Sequence, residues 1–308
     1  MDRRSAQAPS AVIMIRPHHF SPNKQTQKDN AFQQSAENLD QTALAKSAYD
    51  EATNVAKKLE ELNIKVHVFE DEGTDTPDSV FPNNWFSTHA GGHIAIYPMF
   101  AKNRRLERRS DIIEMLKTNY RVQDIIDYSG LEQDGLFLEG TGAMVLDHID
   151  HVAFAIKSNR TNPVAMERFC THFNYEPMVF DAKDQNGTDI YHTNVLMCIA
   201  TDFVLIGLEM IIDQDRRAEI VKRFADSGRH VIDLSHDQIA NFAGNALELQ
   251  AKDGRVLALS SRALKALRPD QKAIIEQSTK FLPLDIPTIE MAGGSVRCML
   301  AGIHLLPR

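Results

Sequence analysis

Short apolar segments alternate with longer amphipathic segments along most of the chain. Apolar residues at helical spacing predict a long helix over 35–63 and further helices over 104–119, 163–173, 214–227 and 269–278. Runs of β-branched and other apolar residues predict strands at 11–15, 64–69, 121–126, 175–180, 229–234 and 280–284. Alternating strands and helices are typical of an α/β protein.

A polar or glycine-containing turn recurs five times, and each time it precedes predicted β structure. The five segments span 83–99, 139–156, 192–208, 244–259 and 293–305, with opening turns 50–56 residues apart. Near-equal spacing of one supersecondary unit indicates that each unit packs against the next. We therefore predict five ββαβ repeats in a closed five-bladed β/α propeller, rather than a mixed domain whose hairpins happen to be evenly spaced.

Composition narrows the class of protein. No linker divides the 308 residues, so 11–308 are expected to form one domain after a flexible N-terminus at 1–10. A net charge of −8 argues against a nucleic-acid-binding surface, and no apolar run approaches the ~20 residues that span a bilayer. The three cysteines exclude a disulfide scaffold and indicate a cytoplasmic protein.

The opening turns carry the candidate chemistry. If the repeats are equivalent, these turns face one axis and bring together a carboxylate (Glu139), an imidazole (His192) and a thiol (Cys298). Covalent catalysis needs such a nucleophile, proton carrier and orienting acid. The remaining polar residues at or near the turns are Asp78, Asn83, Asn84 and Asn245.

The three cysteines differ in their surroundings. Cys298 follows two glycines, which allow close backbone approach, and Arg297, which favours a thiolate. Cys170 in a predicted helix and Cys198 in an apolar strand are interpreted as structural. Glu139 alone is equally compatible with a carboxylate that caps backbone donors at a strand end. Neither a dinucleotide fingerprint nor zinc-ligand spacing is present, so neither a cofactor nor a metal is expected.

Five stretches together resemble the pentein superfamily of guanidino-group-modifying enzymes. They are 77–84, 138–142, 158–162, 192–194 and 293–298. The greatest similarity is to the citrulline-utilisation hydrolases, which are related to amidinotransferases and arginine deiminases, and dimethylarginine dimethylaminohydrolase is a more distant relative. The resemblance implies a five-bladed propeller and a cofactor-free enzyme that acts on a guanidino or ureido carbon.

The resemblance also implies roles for individual residues. Cys298 is the expected nucleophile, His192 the general acid/base, and Glu139 the ligand of the substrate nitrogens. Arg160 matches a position that binds the substrate α-carboxylate, for which a planar guanidinium is suited. Asn83, Asn245 and Asp78 complete the expected substrate-binding set with Asn84.

Asn84 departs from the pattern, because relatives that bind a guanidinium usually carry an acid there. An amide suits a neutral ureido group or a substituted guanidine at least as well as arginine, although Asp78 supplies part of the missing charge. We therefore expect a hydrolase of arginine, citrulline or an N-substituted arginine that uses a covalent Cys298 adduct. An amidinotransferase and a non-catalytic binding module remain alternatives. A small-molecule substrate is expected, with no nucleic-acid or membrane partner, and a homodimer is compatible with the sequence.

Overall fold

The computed structural model describes residues 6–36 and 38–308. Within them, fifteen strands form five three-stranded sheets, each with its middle strand antiparallel to one neighbour and parallel to the other. The α/β class and the five repeats predicted from the sequence are confirmed. In chain order, four sheets contain β3 (Phe86–His89), β4 (His93–Ile96), β5 (Asp124–Asp127); β6 (Met144–Asp147), β7 (Val152–Ile156), β8 (Glu176–Phe180); β9 (Met197–Ile199), β10 (Phe203–Ile206), β11 (His230–Asp233); and β12 (Leu247–Ala251), β13 (Gly254–Ser260), β14 (Lys280–Leu284).

The remaining sheet joins the two ends of the chain. It contains β15 (Ala301–Gly302), β1 (Ala11–Pro17) and β2 (Lys65–Asp71), with β15 antiparallel to β1 and β1 parallel to β2. The prediction that 293–305 contain two strands of their own is therefore wrong. The segment supplies only the first strand of its unit, and the N-terminal strand β1 takes the place of the second.

Helices connect the strands. They are α1 (Gln41–Glu61), α2 (Ser110–Asn119), α3 (Gly140–Ala143), α4 (Pro163–Phe173), α5 (Thr193–Leu196), α6 (Gln214–Asp226), α7 (His236–Ala240), α8 (Ser261–Ala266), α9 (Pro269–Ile275), α10 (Pro287–Glu290) and α11 (Val296–Met299). Helix α1 begins six residues later than predicted, because the Asp40 side chain accepts from the backbone N–H groups of Thr42 and Ala43 and caps the helix there. Its buried face, which includes Leu44, Val55 and Leu59, packs on β1 and β2.

The strands that open the five units lie together. Strand β6 contacts β9, β9 contacts β12, and β15 contacts β3. Residues of all five strands line one small cavity of about 40 Å³, which we call the axial cavity. The turns that precede these strands are consequently neighbours in space, although they are far apart in sequence.

The start of the described chain differs from the expected flexible N-terminus. Gln7 is buried, and its amide nitrogen donates to the carbonyls of Leu146 and Ile199 at 2.9 and 3.1 Å. These contacts hold the segment against two of the opening strands; residues 1–5 of the prediction lie outside the described chain. Among the described residues, no helix has the length and apolar character needed to cross a membrane.

Candidate active site

Single helical turns place the predicted catalytic residues. Glu139 and His192 stand immediately before the one-turn helices α3 and α5, and Cys298 lies inside α11. Asn83 and Asn84 belong to a corresponding 3-10 turn, Pro82–Asn84. Gly140 is required where two of the turns meet: its φ is 46°, and a Cβ there would lie 2.6 Å from the Asn83 carbonyl oxygen.

His192 and Glu139 form a buried pair. The Nε2 atom of His192 lies 2.8 Å from Glu139 Oε2, and Glu139 Oε1 accepts from the backbone N–H of Phe100 at 3.0 Å. Burial alone would raise the pKa of Glu139, but Arg160, His192 and Arg104 together lower it, so the carboxylate is ionised. Burial lowers the pKa of His192 to about 4 despite the opposing effect of Glu139. The resting imidazole is therefore neutral and able to accept a proton.

Two buried guanidinium groups flank this pair. Arg160 and Arg104 each place an Nη1 atom near Glu139 Oε2, at 3.6 and 3.8 Å. Arg104 also forms a two-point contact with Glu107 at 2.8 and 2.9 Å and lies 3.6 Å from Asp78. Burial outweighs Arg104 and raises the pKa of Glu107 to about 7. The cluster thus contains fixed positive charges and one carboxyl group that titrates near neutrality.

The two asparagines of the 3-10 turn lie against this cluster. With its amide oxygen towards Arg104, Asn84 accepts from Nη1 and Nη2 at 3.0 and 3.1 Å and donates to Asn83 Oδ1 at 3.3 Å. Both asparagines are buried. A Cβ on Gly142 would lie 2.0 Å from the side-chain amide of Asn84 and 2.9 Å from His192 Nδ1, so glycine keeps open the space between these two side chains.

The thiol of Cys298 is held by two amides. Nδ2 of Asn194 donates to the sulfur at 3.1 Å, and Nδ2 of Asn245 lies 3.3 Å from it. Asn245 also donates to the Asn194 carbonyl at 2.9 Å and accepts from the Arg297 N–H at 3.0 Å. The structure therefore places Asn245 against the Cys298 thiol, and its expected substrate-binding role stays a prediction. No hydrogen bond joins Cys298 to His192 within the described chain.

The other two thiols have no such surroundings. Burial raises the pKa of Cys170 and of Cys198 to about 12, and both side chains belong to apolar clusters. A thiol that stays protonated at neutral pH is a poor nucleophile. This difference supports their interpretation as structural cysteines.

Residues 18–36, which we call the covering segment, lie over the site. Asp29 receives two hydrogen bonds from Arg160 at 2.7 and 3.0 Å, and Asn23 donates to Asp78 at 2.8 Å. Asn30 donates to the Ala292 carbonyl at 3.2 Å, next to Gly293. With the segment in this position Cys298 is only 3% exposed. We call this arrangement, in which the covering segment contacts Arg160, Asp78 and Ala292, the closed form.

Several residues of the site escape prediction from the sequence. Arg104 and Glu107 lie in a run of charged residues that is typical of a solvated helix face, so no pattern marks them as buried. Asp29 has no local signal, because its partner Arg160 is 131 residues away. Asn194 does have a local signal in the sequence, because it stands two residues after His192 in a motif already selected. Within the described residues, no group of three or more histidine, cysteine, aspartate or glutamate side chains is arranged to hold a metal ion.

The repeated sheets and the thiol, imidazole and carboxylate at their opening turns define a class, the arginine-modifying hydrolases of the pentein superfamily. The family model for eukaryotic N,N dimethylarginine dimethylhydrolase matches residues 16–305, and the chain belongs to this family. It is thus a member of a hydrolase family that acts on C–N bonds of guanidino groups. No curated protein matches the sequence.

Solved structures share the fold at low sequence identity. The N-terminal domain of ArgZ, a cyanobacterial arginine dihydrolase solved as a cysteine-to-serine variant with substrate, has a TM-score of 0.73 and 16% identity over 95% of this chain and 97% of its own. Unliganded AgrE has a TM-score of 0.74 and 16% identity, over 95% of this chain but 39% of its own length. The dimethylarginine dimethylaminohydrolase of Pseudomonas aeruginosa, solved with citrulline, has a TM-score of 0.63 and 13% identity over 98% and 100%.

Proposed function

We propose that the protein is a cysteine hydrolase that cleaves a C–N bond at the guanidino or ureido carbon of arginine, citrulline or an N-substituted arginine. The observation that carries the proposal is the buried Cys298 sulfur, which two side-chain amides approach at 3.1 and 3.3 Å. Amide N–H groups directed at a sulfur stabilise a thiolate, whereas burial dominates at Cys170 and at Cys198, which the backbone of Glu248 approaches, and raises the pKa of both thiols. Family membership independently supports a guanidino substrate.

The first half of the reaction uses a neutral His192. Because Glu139 accepts from Nε2–H of this ring, Nδ1 is free to take the thiol proton. The Cys298 thiolate attacks the planar carbon and forms a C–S bond. The departing amine then takes the proton from His192 as its C–N bond breaks, which leaves a covalent adduct on Cys298.

The second half uses the same groups in reverse. A water molecule gives one proton to His192 Nδ1 and its oxygen to the carbon of the adduct. The C–S bond breaks, the sulfur recovers a proton, and a ureido product is released when the substrate is a guanidine. Ionised Glu139 stabilises the imidazolium that forms in each half, since the two side chains are 2.8 Å apart and excluded from water.

Substrate recognition is assigned to the same cluster. Arg160 is proposed to bind the substrate carboxylate in the place of Asp29. In the closed form the Asp29 carboxylate accepts both hydrogen bonds from the Arg160 guanidinium. Asn84 and Glu139 are proposed to hold the reacting head group, with Asp78 and Asn83 behind them. Because Cys298 is buried, substrate entry requires the covering segment to move first. Asn245 and Asn194 are positioning residues for the nucleophile.

A product assay on the purified chain tests the activity. Arginine, citrulline and N-methylated arginines are supplied separately, and ammonia, methylated amines, citrulline and ornithine are measured. We expect amine release from at least one substrate and a Cys298 adduct by mass spectrometry after acid quench. Transfer to added glycine in place of hydrolysis would favour an amidinotransferase, and no turnover with any of these compounds would contradict the proposal.

Selective alkylation tests the nucleophile separately. A haloacetamidine should label Cys298 faster than Cys170 or Cys198, and Asn194→Ala should slow the labelling about tenfold, because it removes one donor to the sulfur. Equal labelling of all three cysteines would favour a binding module. Asn241→Ala is the matched control, since this asparagine lies outside the site and caps the C-terminus of α7.

We also infer that the five sheets close into a five-bladed propeller. Pairing of β15 with β1 and the shared axial cavity support this arrangement. An experimental structure in which the five opening strands do not surround one axis would contradict it. The cytoplasmic location and a homodimer stay predictions, which cell fractionation and sedimentation would test.

A further inference from the structure

Arg297 is a partly buried arginine in unusual surroundings. Each of the deeply buried arginines of the described chain meets at least two carboxylates: Arg104 meets Glu107 and Asp78, Arg160 meets Asp29 and Glu139, and Arg229 meets Asp147 and Asp150. No carboxylate lies within 4.0 Å of Arg297 anywhere in 6–36 or 38–308. Its Nη1 atom donates to the Leu300 carbonyl at 3.0 Å. No carboxylate of the described chain therefore serves as a counter-ion for the positive charge of Arg297.

Arg297 lines the axial cavity together with His148 and His304. The two imidazole rings stack with their centroids 3.9 Å apart. Burial lowers the pKa of both histidines, to about 4 for His304, and the charge of Arg297 lowers both further, which places the guanidinium near the two rings. Neutral imidazoles add no charge to the cavity; His304 hydrogen-bonds to the backbone of Ala6, so His148 is the ring that can supply a donor.

One donor of this cavity is available to a ligand. The hydroxyl of Tyr175, whose pKa burial raises and which is therefore protonated, lies 2.8 Å from Nδ1 of His148. When that hydroxyl donates, the proton of the neutral His148 ring sits on Nε2 and remains free to donate. A cationic guanidinium and a neutral N–H donor around a small space form the chemistry of an anion site.

The size of the cavity limits the ligand. A water molecule needs roughly 10–15 Å³ of such space, so about 40 Å³ accommodates two or three waters or one small anion with a water. Withdrawing a guanidinium from water, even in part, without a counter-charge is costly, and a bound anion reduces that cost. We propose that the axial cavity binds a small monovalent anion of the halide class through Arg297, with His148 as a hydrogen-bond donor.

Thermal unfolding of the full chain tests this site with bromide as the probe. In halide-free buffer, replacing sodium gluconate by sodium bromide at constant ionic strength should raise Tm saturably, by about 2–4 °C at about 0.2 M. Arg297→Gln should abolish the difference between the two salts, Arg297→Lys should keep part of it, and the exposed Arg268→Gln should keep all of it. Equal Tm values in bromide and gluconate for the wild-type chain would overturn the proposal.

A second measurement covers the case in which Arg297→Gln does not fold. Crystals of the wild-type chain soaked in bromide should show an anomalous peak in the axial cavity within about 3.5 Å of the Arg297 guanidinium. Water alone in the cavity, with bromide bound at other places on the protein, would overturn the proposal. Both measurements read binding and stability, so they are independent of the proposed hydrolase activity.

Discussion

Arginines occur in both the candidate active site and the axial cavity, and their counter-charges differ. Arg104 and Arg160 lie among Asp29, Asp78, Glu107 and Glu139. Arg297 lies among neutral imidazoles, hydroxyls and apolar side chains. The two environments are adjacent in sequence, because Arg297 faces the cavity and the next residue, Cys298, is the proposed nucleophile.

The difference shows that arginines of one fold can serve two purposes. In the candidate active site, carboxylates hold each guanidinium in place, and under the proposed function a substrate carboxylate exchanges with Asp29 at Arg160. In the axial cavity no carboxylate of the described chain lies within 4.0 Å of Arg297, and the proposed anion takes that place. Burial alone therefore does not identify a catalytic arginine; the arrangement of its counter-charges does.

The largest expected effect separates the thiols of the two regions. Cys298→Ser should reduce kcat by at least about 10³-fold and leave the fold unchanged, because the covalent step needs the sulfur. Cys198→Ser, a change in the lining of the axial cavity, should alter kcat less than threefold. Steady-state amine release and circular dichroism of both variants provide the measurement. Comparable losses of kcat in the two variants would contradict the assignment of Cys298 as the nucleophile and of Cys198 as a structural residue.

The second effect separates two carboxylates within the catalytic site. Glu139→Gln should lower kcat/KM by about 10²–10³-fold, because the imidazolium loses the ionised group 2.8 Å away. Glu107→Gln should cost less than about tenfold, since the pKa of Glu107 is about 7 and the carboxyl is partly protonated near neutrality already. Measurement of kcat/KM for both variants from pH 6 to 9 is the test. A larger loss for Glu107→Gln than for Glu139→Gln would show that Glu107, and not Glu139, is the carboxyl group on which catalysis depends.

Local patterns account for the parts of the molecule that were predicted correctly. Helix α4 has the predicted bounds of 163–173, because Asn162 caps it and Asn174 adopts the left-handed conformation that ends it. The five opening turns were visible as a repeat, and this repeat selected Cys298, His192 and Glu139. Glu139 and His192 are the residues immediately before α3 and α5, whereas Cys298 is inside α11, so the three occupy neighbouring but not identical places in their units.

Long-range pairing accounts for the parts that were missed. The fifth sheet is completed by β1, almost 290 residues from β15, and a repeat search along the chain does not detect a partner at the opposite end. Arg104 lies within a run of four arginines in six residues, and hydrophobic periodicity does not show which of them is buried. Asp29 and Arg160 become a pair only in three dimensions.

The third effect concerns the one carboxylate that is expected to leave its arginine. Asp29→Asn should lower KM several-fold with little change in kcat, because the amide competes less well than a carboxylate for the Arg160 fork. Substrate titration of the variant is the measurement. A raised KM would show that Asp29 orients Arg160 for binding and does not compete with the substrate. Asp184→Asn, in a surface turn, is the control.

The smallest effect concerns the histidines of the axial cavity in acid. Burial, and then Arg297, lower the pKa of His304 to about 4, below the ordinary value of 6.5. Above pH 6.5 the ring is neutral in both the folded and the unfolded chain and contributes no pH dependence. Between pH 6.5 and 4 only the unfolded chain binds a proton there, so the free energy of unfolding falls as the pH falls.

His304→Gln should remove this contribution while His192 and His148, whose pKa values are also lowered, keep theirs. The slope of the unfolding free energy between pH 4 and 6.5 should then decrease by up to about 1.4 kcal/mol per pH unit, which corresponds to one proton. Urea unfolding at a series of pH values measures it. An unchanged slope would mean that His304 is protonated in the folded chain, and a cationic ring beside Arg297 would itself require an anion in the cavity.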